Sequence, residues 1–222
     1  FTFNPKTQDG YFPYRSENAK GYSAKDLKEF YNFYEWGKYS NNISGNTKRL
    51  YHELLSIGRI LLIWINENMP TLKAINSSVS LPEMIENSPM NLMRIIHYPP
   101  LNSDVTDGAI RAAAHCDINL ITVLPAASQP GLQVQTKEDE WLDVECNPGW
   151  LVINTGDMLQ EYSDGHYPST IHRVVNPIAK YAHLSRYSMP LFIHPRDEVI
   201  LSKRYSAKKY LDERLRDIGL KT

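Results

Sequence analysis

The sequence predicts a mainly β fold, a sandwich or jelly roll flanked by helices, and three observations carry that expectation. From about Met90 onward, short β-rich runs alternate with Gly, Pro and Asp turn chemistry at regular intervals. Ahead of them lies a stretch with helical spacing of its apolar residues, and behind them a single closing helix. The chain has 222 residues, enough for one large domain or two small ones and for a sizeable core without disulfide staples.

The first third reads as helical. Ala24 to Trp36 is rich in aromatic and charged residues, and Thr47 to Asn68 carries Leu50, Leu54, Ile57, Leu61 and Ile65 in an amphipathic stripe. That stretch stops at Met69-Pro70, as a helix does ahead of proline. Pro82 to Asn87 reads as one more short helical turn. Leu92 to Ile96 then runs as a strand into Tyr98-Pro99-Pro100. Further strands are expected at Leu120 to Leu124, Leu132 to Gln135, Trp141 to Val144, Trp150 to Asn154, Thr170 to Val175 and Ser185 to Ile193. The turns between them include Pro130-Gly131, Pro148-Gly149 and Asn176-Pro177. Ala207 to Ile218 closes the chain as a helix, with Ser206 as its N-cap and Gly219 as its stop. The expected division is a helical N-terminal region over residues 1–89 and a β core with its C-terminal helix over 90–222. The chain opens on Phe1 in sequence that reads as mid-domain, so further residues are expected before it.

Composition narrows the function. Lys and Arg number 24 against 25 Asp and Glu, a net charge of -1, without the basic footprint a nucleic-acid binder needs. The longest apolar run, Ile60 to Ile65, is far short of a membrane span. Two cysteines, Cys116 and Cys146, make no disulfide framework, and no Lys/Arg-led apolar leader precedes them, so a cytoplasmic protein is expected.

The chemistry gathers around His115-Cys116-Asp117. In an extended chain residues i and i+2 share a face, so His115 and Asp117 can reach one ion. His172 lies in its own strand much further on, and two imidazoles with one carboxylate form the facial triad of a non-haem iron site. Arg186 and Ser188 follow at i and i+2, a guanidinium fork beside a hydroxyl that suits a carboxylate.

Together these residues resemble the isopenicillin N synthase-like group of iron(II)/2-oxoglutarate-dependent oxygenases. The likeness rests on Met93-Arg94-Ile95-Ile96-His97-Tyr98-Pro99-Pro100, Ala114-His115-Cys116-Asp117, Pro130-Gly131-Leu132-Gln133-Val134, Asn154-Thr155-Gly156-Asp157, Ser169 to Pro177 and Arg186-Tyr187-Ser188-Met189-Pro190. It implies a double-stranded β-helix, a distorted jelly roll. It implies Fe(II) on His115, Asp117 and His172, and 2-oxoglutarate with its far carboxylate on Arg186 and Ser188 and a hydrogen bond from Tyr98. The implied activity is that of an oxidoreductase, a dioxygenase that uses O₂ to oxidise, by hydroxylation, a small organic molecule, with succinate and CO₂ as co-products. An iron oxidase of the same fold that consumes no 2-oxoglutarate, an inactive ligand-binding member and a zinc hydrolase are the alternatives. Where plant members carry an asparagine two residues before the tyrosine, this chain has Ile96, so one polar contact to the cosubstrate is missing. Substrate identity and oligomeric state are not legible.

Other residues have plainer readings. His97 is expected to point away from the metal, and His166 and His183 to be exposed in turns; His194 belongs to no motif. Asn154, Gly156 and Asp157 read as a strand end and tight turn, and Cys116 as a passive strand residue facing away from Asp117. The aromatics Tyr11, Phe12, Tyr14, Phe30, Tyr31, Phe33, Tyr34 and Trp36 are expected mainly to pack, although the position suits a substrate pocket.

Overall fold

The computed structural model describes residues 1–17, 22, 24–39, 44–70, 79–101 and 108–217. In chain order these form strands β1 (Gly10–Phe12) and β2 (Glu29–Phe33), helices α1 (Asn46–Glu67) and α2 (Leu81–Met84), and strands β3 (Leu92–Tyr98), β4 (Ala112–His115), β5 (Ile121–Pro125), β6 (Leu132–Gln135), β7 (Trp141–Asp143) and β8 (Leu151–Thr155). Helix α3 (Asp157–Tyr162), β9 (His172–Val174), a 3₁₀ turn (Ala179–Tyr181), β10 (Arg186–Ser188), β11 (Leu191–Ile193) and α4 (Ala207–Asp217) complete the order.

Two antiparallel sheets result. The major one runs β1-β2-β3-β11-β5-β8, with β10 also paired to β3, and the minor one runs β4-β9-β6-β7. This is the mainly β jelly roll that the spacing of runs and turns predicts. The pivot is β3, because its register aligns one inward face. Phe30 lies opposite Ile96 and Asn32 opposite Arg94 on one side, and Arg186 lies opposite Tyr98 and Ser188 opposite Ile96 on the other. With a side-chain period of two, Arg94, Ile96 and Tyr98 therefore point the same way as Phe30, Asn32, Arg186 and Ser188.

The first third departs from its helical reading: Glu29–Phe33 is a strand, not helix. Its aromatic side chains suit a pleated surface better than a helix, and pairing with β3 along its whole length supplies the partner that local propensity cannot reveal. Phe12, Phe30, Phe33 and Tyr34 are buried in packing roles, whereas Tyr11, Tyr14 and Trp36 are exposed. The stretch read as one strand, Ser185 to Ile193, is two. Between β10 and β11 stands Met189-Pro190, and proline has no N–H for a ladder. The Ala-rich β4 escaped notice because alanine favours helices; here it pairs with β9. Helix α3 stands where the sequence predicts only a tight turn.

Helix α1 covers the outer face of the major sheet. Its buried stripe is Tyr51, Leu54, Gly58 and Leu62, rotated from the expected one, so that Ile57 sits on the exposed side. Gly58 carries no hydrophobic signal, yet a Cβ there would meet Ile193 Cδ1 at 2.0 Å, so the helix lies close on β11. Helix α4 begins as expected, with Lys209 N–H donating to Ser206 Oγ at 3.3 Å; its proposed stop, Gly219, lies outside the described residues. Among the described residues no helix is long and apolar enough to cross a membrane.

Gly156 shows how tightly the β8–α3 corner fits against the turn before β5. Its backbone is extended, but a Cβ would meet the carbonyl oxygen and Oδ1 of Asn119, each at 2.3 Å. Gly156→Ala is expected to lose about 1–3 kcal/mol of stability by overpacking against rigid backbone. Urea unfolding measures this, and an unchanged midpoint contradicts the contact.

Candidate metal centre and its cavity

His115 ends β4 and His172 begins β9, and the two residues are register partners in the minor sheet. Asp117 reaches the same point from the turn after β4. One ligand atom from each lies within 4.8 Å of the others. The imidazole centroids are 4.4 Å apart, and Asp117 Oδ1 stands 4.0 Å from His115 Nε2 and 3.7 Å from His172 Nε2. Those gaps are too long for hydrogen bonds. The three groups converge on a point without bonding to each other.

Each is oriented from behind. His115 Nδ1 lies 2.7 Å from the Ala113 carbonyl and His172 Nδ1 3.0 Å from the Thr170 carbonyl. A carbonyl can only accept, so both Nδ1 atoms carry the proton and both Nε2 lone pairs face the gap. Asp117 Oδ2 accepts from Thr122 Oγ1 at 2.5 Å and Asn154 Nδ2 at 2.9 Å, which leaves Oδ1 toward the histidines. Asn119 Nδ2 donates to Thr122 Oγ1 at 2.9 Å and fixes that hydroxyl in turn. Burial alone would raise the pKa of Asp117, but His172, His115 and the two hydrogen bonds outweigh it and the net shift is downward. Burial, then the neighbouring His172, pushes His115 down to about 4, so its ring is neutral at pH 7. The neutral His115 ring, the His172 imidazole and a carboxylate make up the donor set that a divalent iron accepts.

The sequence-predicted Tyr98, Arg186 and Ser188 line the same cavity, an open space of about 680 Å³ with its mouth included. All three are buried. Arg186 Nε donates to the Gln129 carbonyl at 3.0 Å, and its guanidinium lies 5.1 Å from the Tyr98 ring centroid. Its Nη1 is buried with no partner among the described residues. A buried guanidinium with an orphaned donor is costly unless an anion meets it, so this end of the cavity fits a carboxylate. Ile96 lines the wall between without a polar atom, as its sequence implies.

Sequence reasoning missed several residues. The sequence gives Asn154 only a structural reading and Thr122 no role of its own, although a threonine in an otherwise apolar strand at an inward position is a signal. Their register pairing, Thr122 opposite Asn154, brings both onto Asp117. Lys28, Arg94 and Glu17 were also missed: Glu17 Oε2 bridges Lys28 Nζ at 3.1 Å and Arg94 Nη1 at 3.2 Å beside the cavity. His97 faces outward on Glu29 and Ser185, and His166 and His183 are exposed. His194 is buried, and loss of hydration pushes it down to about 4.

A jelly roll enclosing two histidines, an aspartate and an orphaned arginine defines a non-haem iron oxygenase class. Residues 89–195 match the profile of the 2OG-Fe(II) oxygenase superfamily. A crystal structure from Shewanella oneidensis, provisionally named an oxygenase, is 50% identical and superposes with a TM-score of 0.84 over 99% of this chain and 78% of that one. The 2-oxoglutarate-dependent dioxygenase citB of Monascus ruber is 42% identical over 97 residues, 42% of this chain. A flavonol synthase/flavanone 3-hydroxylase of Arabidopsis thaliana is 36% identical over 110 residues, 50% of this chain. The matched segments span only 30% and 31% of those two curated relatives. Full-length Neurospora crassa T7H, solved in complex with alpha-KG, superposes with a TM-score of 0.75 at 24% identity, covering 96% of this chain and 74% of that one, a likeness of fold alone. The chain belongs to the 2OG-Fe(II) oxygenase superfamily.

The buried titratable groups make the metal-free protein acid-sensitive. A histidine held near 4 when folded and near 6.5 when unfolded lets the unfolded state bind more protons between those values, so stability falls as pH drops through that window. His194 alone accounts for up to about 3 kcal/mol of the loss. For Glu17, burial acts upward, but Arg94 and Lys28 prevail and hold its carboxyl at about 2, so its stabilising share is present above about 4.5 and is lost as pH falls toward 2. Urea melts at pH 7, 6, 5 and 4 should show a progressive loss, reduced in His194→Leu. A stability that stays flat over that range contradicts the burial of His194.

Proposed function

We propose that this chain forms the core of an Fe(II)- and 2-oxoglutarate-dependent dioxygenase that hydroxylates a small organic molecule and releases succinate and CO₂. The observation that carries the reading is one cavity that holds both the unbonded His115–Asp117–His172 group and the orphaned Nη1 of Arg186. The first asks for a divalent cation and the second for an anion, which is the combination of iron with a dicarboxylate cosubstrate.

In this reading His115 Nε2, His172 Nε2 and Asp117 Oδ1 hold the iron. When bound, iron supplies the O₂-dependent oxidation that none of these side chains can perform. The protein's part is orientation. Thr122 and Asn154 keep Asp117 ionised and aimed, so the carboxylate needs no reorganisation on loading. Arg186 takes the far carboxylate of 2-oxoglutarate through Nη1, with Ser188 on the same strand face and the Tyr98 ring against the guanidinium. Leu124, Leu132, Val134, Val152 and Val174 line the remaining wall and keep water from the reacting centre. The two cysteines are free, which supports placement in a reducing cytoplasm.

Purified protein with Fe(II), O₂ and 2-oxoglutarate is expected to form succinate and CO₂, slowly even without the organic substrate. Arg186→Gln should weaken 2-oxoglutarate binding about 10- to 100-fold, the worth of one charge-assisted hydrogen bond, with metal affinity unchanged. Substrate turnover with no 2-oxoglutarate consumed would overturn the reading. His172→Ala should abolish Mn(II) or Fe(II) binding in equilibrium dialysis with little change in unfolding midpoint. Stoichiometric metal retained in that variant would place the centre elsewhere.

A further inference from the structure

The cavity has a cationic wall that the metal centre and the Arg186 end leave unused. Arg94 and Lys28 both line it. Their charges meet on one carboxylate oxygen, Glu17 Oε2, and Asp26 Oδ2 lies 2.8 Å from Lys28 Nζ. Glu17 and Asp26 do not line the cavity, so the cations face it and the acids stand behind. Arg94 is braced further: its Nε donates to Asn32 Oδ1 at 3.0 Å, and its guanidinium carbon lies 4.2 Å from the Phe30 centroid and 5.8 Å from that of Phe192. Those bonds engage Nε and Nη1; among the described residues Nη2 has no protein acceptor. A planar fork braced beside two aromatic rings, with one nitrogen unengaged at a cavity wall, suits a carboxylate.

The position of Arg94 separates this receptor from the cosubstrate end. Arg94 precedes Tyr98 on the same face of β3, about 13 Å along the strand at its usual rise, and Tyr98 is the register partner of Arg186. The two arginines are therefore rooted at opposite ends of this face, Arg186 beside the Tyr98 ring and Arg94 beside the rings of Phe30 and Phe192. Ile96, Pro190 and Phe192 supply apolar surface on the sheet wall near Arg94.

Resting on the oxygenase reading above, we propose that Arg94, assisted by Lys28, binds an anionic group of the organic substrate, which is therefore a small carboxylic acid with an apolar body. The Lys28–Glu17–Asp26–Arg94 group is neutral as a whole. Its selectivity for an acid comes from which charges face the cavity, not from an excess of positive charge. Glu17 and Asp26 fix the two cations before the substrate arrives, and this lowers the ordering cost of binding.

The test compares acids with their isosteric amides. Phenylacetate, 3-phenylpropionate and 4-phenylbutyrate, each beside its amide, are titrated into the metal-free full chain by saturation-transfer NMR. 2-Oxoglutarate binding to the Mn(II)-loaded protein is followed in parallel. At least one acid is expected to bind about 10-fold or more tightly than its amide. Arg94→Gln should erase that preference and leave 2-oxoglutarate affinity unchanged, whereas Arg186→Gln should do the reverse. If Arg94→Gln alone fails to fold because Glu17 loses one of its two cations, Glu17→Gln with Arg94→Gln removes both charges together and reports the same preference. The proposal is overturned if no acid is favoured over its amide, or if the preference survives loss of Arg94. A wild-type protein that ignores 2-oxoglutarate but prefers acids through Arg94 sinks the oxygenase reading and leaves the anion site standing.

Discussion

The grip of Thr122 and Asn154 on Asp117 Oδ2 is the interaction on which the site depends. It joins the major sheet, through β5 and β8, to an acid that has to meet two histidines carried by the minor sheet. A buried carboxylate among apolar strands would otherwise bind a proton. Hydrogen bonds from Thr122 and Asn154 to one oxygen favour the charged form, so the low dielectric between the sheets reinforces the arrangement. Gly156 belongs to the same device, because its missing side chain lets the β8–α3 corner close on Asn119, which in turn holds Thr122.

Around this centre the cavity sorts its charges by whether the protein itself answers them. Lys28 and Arg94 have carboxylates behind them, and that pairing makes their burial tolerable. Among the described residues Arg186 has a backbone carbonyl and an aromatic ring but no acid, and one of its nitrogens is orphaned. A charge left unanswered in a folded interior marks where a ligand completes the structure; a charge already answered can only select among ligands. The two ends of the cavity thus differ in kind, one with a guanidinium nitrogen still unanswered and one with its cations already paired.

Strand β3 makes both ends part of one surface. Because successive residues alternate faces, Arg94, Ile96 and Tyr98 share its inner side, and partners on β2 and β10 extend that side in both directions. The outward positions have a different use: His97 pairs with Glu29 and stacks on Tyr187. Helix α1 then seals the far side of the sheet, close enough at Gly58 to leave no room for a side chain.

What the amino-acid sequence determined alone were the features that depend on near neighbours along the chain. The His115-x-Asp117 and Arg186-x-Ser188 pairs, the break after Tyr98, the end of α1 before Pro70 and the Ser206 cap of α4 all follow from strand period, proline chemistry and local hydrogen bonding. Distant His172 was legible only because it completes a ligand set of fixed chemistry. The tertiary structure decided what depends on partners far away in sequence: that Glu29–Phe33 pairs as a strand, that an alanine run becomes β4, and that Glu17 joins Lys28 to Arg94. No local pattern encodes those outcomes, because a buried charge or an edge of unpaired backbone settles according to the partner that the whole fold brings to it.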